Sequence, residues 1–367
     1  MEWLADRDSL IQAFRRIQGA GGDVLGSHPI FGYMRLRAMN EELEFVSSNS
    51  IVTATTVTDA RISIPGEVCV PLKQFRDAVD LLPSGEVRMQ LGATNRLTMA
   101  GGGRVLTVCG RPGGEYPLVP EPPDEHVSIP AGVLRFLLIR TAHAASKKPD
   151  NPEPASVHIT WKKPHLTAFA MDGHRAAEAK MKCVVYGLKK IVVHQLASTE
   201  ILRLLEDDPL EHVDVSETRN HTFIRAGRTL VAIGKLEGRA PERPEEMLSN
   251  RARVVRVLRR ALLEALRASR KMTQESTVWL TLGTDGITIS SDPRVQEVSV
   301  EVYVPGEVRG APFKICANGE HLVDGLDALD VENVSIGFGD TPLDAVSLRP
   351  DAEEDVVMIF SPKSECA

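Results

Sequence analysis

A unit that occurs three times constrains this chain more than any other feature. Residues 68–100, VCVPLKQFRDAVDLLPSGEVRMQLGATNRLTMA, read as a strand end, a short amphipathic helix and two strands joined by a tight turn. Phe75, Val79 and Leu82 have helical spacing, Pro83-Ser84-Gly85 stops the helix, and Val87, Met89 and Leu91 alternate as in a strand. Moved on by 126 residues, Phe75, Val79, Pro83, Val87 and Met89 become Ile201, Leu205, Pro209, Val213 and Val215. A further 121 residues bring Leu322, Leu326, Asp330, Val334 and Ile336.

The segments upstream repeat as well. Met34–Leu36 and Leu43–Phe45 flank a turn at Asn40-Glu41; Val157–Ile159 and Leu166–Ala168 flank Lys163-Pro164; Val278–Leu280 and Ile287–Ile289 flank Thr284-Asp285-Gly286. Those offsets are 123 and 121 residues. Two half-units matching in one order at nearly one offset divide 367 residues into three units of about 122. The expected fold class is α+β, with domains at 1–124, 125–246 and 247–367.

Composition narrows the function classes. The chain is 43% hydrophobic and 25% charged, enough for a substantial core. Cys69, Cys109, Cys183, Cys316 and Cys366 are scattered and odd in number, which suggests reduced thiols rather than a disulfide framework or metal site. The start MEWLADRDSL is acidic where a signal peptide is basic, and no apolar run approaches 18 residues, so the expectation is cytoplasmic with no membrane segment. A net charge of −7 argues against a simple nucleic-acid coat protein but permits a basic surface on one side.

Along the chain, residues 5–18 read as a helix with Leu10, Phe14 and Ile17 inward and Arg7, Arg15 and Arg16 outward. A glycine-rich loop, 19–26, follows. Gly101-Gly102-Gly103 reads as a turn, since GxxxxGK[ST] is absent. The stretches 113–125 and 234–246 read as linkers. Helices are expected near 131–146 and 198–206, with the loop KKPDNPEP (147–154) between them. The stretch SNRARVVRVLRRALLEALRASRK reads as one long helix, with Val254, Val257, Leu258, Ala261, Leu262, Ala265 and Leu266 as an apolar stripe. Arg253, Arg256, Arg260, Arg267 and Arg270 form a second stripe. Seven arginines and a lysine from 251 to 271 against Glu264 alone leave few i,i+4 partners, so a facing polyanion accounts for them better than a solvated surface does.

Five stretches, in order, resemble the bacterial β sliding clamps, the processivity subunits of DNA polymerase III. They are ISIPGEVCVPLKQFRDAVDLLPSGEV (62–87), GGGRVLTVCGRPGGEYP (101–117), TAFAMDGHRAAEAKM (167–181), GKLEGRAP (234–241) and DALDVENVSIGF (327–338). The resemblance implies the DNA clamp fold: three two-helix, antiparallel-sheet domains per chain and a head-to-tail homodimeric ring. Duplex DNA would pass through it without sequence preference, helices would line the hole and sheets would form the rim. Such a protein is a non-catalytic tether without cofactor or metal. Its partners would be the polymerase III α subunit, the clamp loader and repair polymerases, held through a short peptide motif.

Cations expected to face DNA are Arg15, Arg16, Lys73, Arg76, Arg135, Arg140, Lys147, Lys148, Arg203, Arg256, Arg260 and Arg267. The resemblance also implies a partner-peptide pocket. It would comprise Met171, Gly173, His174 and Arg175 from DGHR, Pro241 from GRAP, Asn318 and His321, and Ile359 and Pro362 near the C-terminal end.

The chain departs from the family's pattern in places. Ser361-Pro362-Lys363 replaces an apolar M-P-M, ERPEEML (242–248) is unusually acidic, His321 stands where tyrosine is common, and Asp23 where an arginine-bearing loop often approaches DNA. Polar replacements in the pocket predict a weaker apolar grip or a different preferred peptide. Two other readings compete. Asp172 with His174 suggests acid–base chemistry, and His143, His158, His165, His194, His212 and His221 suggest metal, but HExxH, CxxC and GxSxG are all absent. The acidic balance and the altered end also fit a clamp-like interaction scaffold with no replicative role.

Overall fold

The computed structural model describes residues 1–22, 28–146, 155–185, 187, 190–207, 211–235, 241–247, 251–273, 276–291, 299–351 and 355–363. The elements follow one order three times. The first round is β1 (Glu2–Asp6), α1 (Arg7–Ile17), β2 (Tyr33–Met39), β3 (Glu42–Ser48), β4 (Val52–Asp59), β5 (Arg61–Ile64), β6 (Gly66–Pro71), α2 (Leu72–Leu81), β7 (Glu86–Leu91), β8 (Arg96–Gly101) and β9 (Arg104–Cys109), followed by the short β10 (Arg111–Pro112). The second is β11 (Val127–Pro130), α3 (Ala131–Thr141), β12 (Ser156–Lys162), β13 (His165–Met171), β14 (Arg175–Lys182), β15 (Lys190–His194), α4 (Gln195–Asp207), β16 (His212–Glu217), β17 (His221–Ala226) and β18 (Thr229–Gly234). The third is β19 (Arg253–Leu258), α5 (Arg259–Thr273), β20 (Thr277–Leu282), β21 (Gly286–Ser290), β22 (Glu301–Arg309), β23 (Phe313–Asn318), α6 (Gly319–Asp327), β24 (Asn333–Phe338), β25 (Val346–Pro350) and β26 (Val356–Phe360). The fold is α+β with antiparallel sheets.

The repeat is one of packing as well as order. Phe75, Ile201 and Leu322 are buried, as are Val79, Leu205 and Leu326, then Val87, Val213 and Val334, then Met89, Val215 and Ile336. Each triplet supplies the same core position, so every helix docks its stripe on the same strands.

Local signals explain the element ends. Asp6 caps α1, its carboxylate accepting from the Asp8 and Ser9 amides at 3.0 Å, and Arg15 and Arg16 occupy the last turn, where cations suit the helix dipole. The β2–β3 turn has positive φ at both Asn40 (54°) and Glu41 (64°), the geometry that matches strand twist in a two-residue hairpin. Gly102 and Gly103 repeat it between β8 and β9 at 54° and 77°.

The chain forms two compact units: Met1–Leu134 with Val185–Gly187 and Val192–Leu236, and Arg135–Val184 with Leu188–Ile191 and Glu237–Ala367. The first unit has a sheet in the order β5-β1-β7-β8-β9 and another in the order β10-β6-β2-β3-β4-β18-β17-β16-β11. Phe75 lies 6.1 Å from Phe14 and 6.2 Å from Phe45, tying α2 to α1 and to the larger sheet. In the second unit the order runs β12-β13-β14-β26-β25-β24-β19-β22-β21-β20-β23.

One expectation is corrected. The stretch from 251 is not a single helix: residues 253–258 are strand β19, and α5 begins at Arg259. Val254, Val255 and Val257 are β-branched and suit a sheet, and β19 finds partners on both sides, β24 and β22. Alternation therefore decides the burial: Val255 and Val257 are buried whereas Leu258 is 49% exposed.

Candidate partner and nucleic-acid interfaces

The DGHR segment is a tight turn between β13 and β14 in the second unit. Asp172 Oδ1 accepts from the His174 and Arg175 amides at 2.9 and 3.0 Å, and Gly173 supplies φ +90°. Arg175 is buried and forks between two carboxylates, Nε to Asp172 Oδ2 at 3.0 Å and Nη1 to Asp324 Oδ2 on α6 at 2.7 Å. The Ser361 amide donates to the His174 carbonyl at 2.8 Å, and the His174 and His321 rings stand 6.5 Å apart.

Strand pairing sorts the expected pocket residues onto two faces. Arg175 lies opposite Phe360, and Ala176 opposite Ile359, so Arg175 and Ile359 point to opposite sides of the β14–β26 ladder. Met171 lies opposite Ala176 and therefore shares the Ile359 side. There Ile359 packs with Phe169, Ala176, Met247 and Val357, with Met171 and Ala345 partly buried against them. Asn318 is committed elsewhere, its side-chain oxygen capping α6 by accepting from Glu320 and His321 amides. Pro241 is half-buried, and Pro362 bridges to Ala317. The motifs missed Phe169, Ala176, Met247, Ala345 and Val357; the alternation of β14 and β26 is the signal that finds them.

The α6 side carries the titratable groups. Burial pushes His143 down to about 3, aided by the nearby Arg175 charge and opposed by Asp324 and Asp172. Burial, and then Arg175, also lower His321. Both imidazoles are held towards the neutral form. The Asp172 carboxylate is taken up by two amides and a guanidinium, which leaves no Asp–His pair for acid–base chemistry. Among the described residues, no group of three or more His, Cys, Asp or Glu side chains is placed to hold a metal, and no helix is long and apolar enough to cross a membrane. Cys69, Cys109, Cys183 and Cys316 are free thiols.

The cations expected to face DNA fare unequally. Arg15 is exposed and Arg16 half-buried on α1, while Lys73 and Arg76 are exposed on α2. Arg15 and Arg76 rim a cavity of about 70 Å³ floored by Ile11, Phe14, Phe75 and Val79. Arg135 is exposed on α3. Arg140 is not a surface cation: it is buried, donates to the Ala328 carbonyl at 2.5 Å and lies over the Phe136 ring. Arg203 pairs with Glu200. Arg256 sits on β19, paired with Asp351 and Glu307, rather than on a helix stripe. Arg260 pairs with Glu264 at 2.9 Å, Arg267 with Asp327 at 2.7 Å and Arg270 with Glu320 at 3.5 Å. The anions scarce within 251–271 are thus supplied by α6, β22 and the stretch after β25. Lys147, Lys148 and Asp23, like Cys366 and residues 236–240 of the second linker, lie outside the described residues.

No family model matches the chain. A protein named beta sliding clamp from Halalkalibacterium halodurans is 23% identical over 380 residues, covering 99% of each chain. One of the same name from Staphylococcus aureus is 23% identical over 348 residues, covering 91% of this chain and 92% of that protein. The fold is that of solved sliding clamps. The DNA polymerase sliding clamp of Bacillus subtilis superposes with a TM-score of 0.85 at 20% identity, and the DNA polymerase III beta subunit of Thermotoga maritima with 0.87 at 16%, each covering 99% of both chains.

Proposed function

Starting from homologues along the full length that are beta sliding clamps, we propose that this chain is a DNA sliding clamp. Two copies of three domains each, at 1–124, 125–246 and 247–367, join head to tail around duplex DNA. The ring tethers the replicative polymerase and other DNA-processing proteins. Its work is non-catalytic and cytoplasmic.

The observation that carries the ring is a repeated joint. In the first unit β4 pairs with β18, and in the second β14 pairs with β26: the fourth-place strand of one round meets the last strand of the next. Three rounds leave two such edges over. One is β9, an end strand of its sheet; the other is β22, whose residues 301–305 pair with β21 and, among the described residues, with nothing on their other side. Open edges recruit strands, and two copies satisfy both by pairing β9 of each with β22 of the other.

Exposed apolar side chains support the same closure. Val105 on β9 is 68% exposed and Leu81 on α2 56%, while Tyr303 on β22 is 51% and Met272 on α5 58%. Ala20, which stands 252 residues before Met272 as Leu10 does before Leu262, is fully buried in the first unit, where α1 packs on α4.

In the ring, Arg15, Arg16, Lys73, Arg76, Arg135, Arg260 and Arg267 meet phosphates through long side chains, which positions the protein without reading bases and lets it slide. The face holding Met171, Met247 and Ile359 takes the apolar residues of a short peptide from the polymerase III α subunit, the clamp loader or repair polymerases. Retention on a nicked circular plasmid during gel filtration tests the reading. A ring is retained and is released when the plasmid is linearised, because only an encircling protein falls off free ends. Retention that survives linearisation refutes encirclement, and no retention at all favours the interaction scaffold.

A further inference from the structure

The face that carries Met247 and Ile359 has a charged side that no motif singled out. Glu178 lies opposite Val357 on the β14–β26 ladder, two residues on from the Ala176–Ile359 pair, so all four side chains share one face. Arg349 on β25 donates to the Met247 carbonyl at 2.8 Å. Arg251 crosses the same surface: its Cγ lies 2.5 Å from where a side chain on Gly337 would start, as does the Ser347 hydroxyl. Arg243 donates to Glu178 Oε1 at 2.7 Å, and Lys180 reaches the same oxygen at 3.0 Å.

Three guanidinium groups and an ammonium therefore converge on few carboxylates. Glu178 is buried and already shared by two cations, and the second carboxylate, Asp344, feels the charge of Arg251. The Nε of Arg243 is a buried donor that meets no acceptor among the described residues. Burial and the charges of Arg251 and Arg243 together depress the pKa of Arg349, as crowding of like charges requires. Clustered cations beside an apolar patch are unfavourable until an anion joins them.

We propose that this face selects acidic peptides: an apolar residue seats on Met171, Met247 and Ile359 while a neighbouring Asp or Glu carboxylate pairs with Arg349, flanked by Arg243 and Arg251. The proposal rests on the partner-peptide reading of this face and adds the chemistry by which it chooses among peptides. A carboxylate can accept from an arginine fork at two oxygens, and a side-chain amide cannot replace it.

The test uses the full chain and two fluorescent peptides of glutamine–leucine–phenylalanine character, identical except for one Asp or Asn beside the apolar anchors. Fluorescence polarisation at low salt should show the Asp peptide binding about tenfold more tightly, the effect of one charge-assisted hydrogen bond. The ratio should fall towards one in Arg349→Gln and in Arg243→Gln. It should also narrow for the unmodified protein as salt is raised, a readout that needs no variant to fold. Equal affinities for the two peptides would overturn the acidic selectivity and leave the peptide-binding reading intact. Binding of neither peptide would overturn the peptide-binding reading and the selectivity with it.

Discussion

His143 should make the second unit acid-labile, by an amount the structure sets. Both ring nitrogens of His143 are buried without a hydrogen-bond partner, and Arg175, Asp172, Asp324 and His321 surround it. Its pKa is held at about 3 in the folded chain against 6.5 when unfolded. A depressed histidine pKa means that the unfolded state binds the proton first as pH falls. Stability is therefore full above 6.5 and is lost progressively between 6.5 and 3. At pH 7.5 the loss is negligible, while at pH 5 it is about 2 kcal/mol, from 1.5 pH units at roughly 1.4 kcal/mol each. Urea unfolding at pH 7.5, 6.5, 5.5 and 5.0, followed by tryptophan fluorescence and circular dichroism, measures this against His143→Leu. The stability difference between the two proteins should shift in favour of the variant by about 2 kcal/mol from pH 7.5 to 5. His321 titrates in both proteins, so its contribution cancels to first order. A difference that does not change with pH would refute the reasoning.

Other perturbations test separate parts of the structure. Arg175→Ala strands the buried carboxylate of Asp172 beside that of Asp324 and should cost about 3 kcal/mol in urea unfolding; a loss below about 1 kcal/mol would mean that the fork contributes little. Gly325→Val should destabilise by about 1–3 kcal/mol, because even a Cβ there stands 2.8 Å from Phe360 Cζ and 3.2 Å from Met358 Sδ; an unchanged unfolding midpoint would show that β26 gives way. Val105→Glu should leave the fold intact and convert two-chain particles to single chains in sedimentation, and unaltered sedimentation would remove β9 from the interface. Charge reversal at Lys73 should weaken plasmid retention more than reversal at Arg267, which Asp327 already neutralises; the opposite ranking would put the third unit's helix pair at the DNA.

How far each feature could be read from residues alone depended on the range of the interactions behind it. The αββ unit at 68–100 was legible because β6, α2, β7 and β8 follow local periodicity, and its copies at 201–215 and 322–336 bury the same positions. The turn at DGHR was legible too, since Asp172 closes it within three residues. The start of α5 was not. The positions Val254, Val257 and Leu258 fit helical and strand spacing alike, and pairing with β24 and β22 chose the strand.

Sequence by itself determined the threefold α+β plan, the hairpins and the core positions, because periodicity and turn chemistry act over a few residues and recur with the repeat. Only the tertiary structure decided what the charges do. Arg267 and Arg270 meet anions about 50–60 residues away on α6, and Arg140 turns inward to a carbonyl 188 residues on. It also put Arg175 and Ile359 on opposite faces of one ladder and gathered Arg243, Arg251 and Arg349 on one of them. Coulombic pairing depends on distance in space, and spacing along a chain says nothing of which strand or helix will lie alongside.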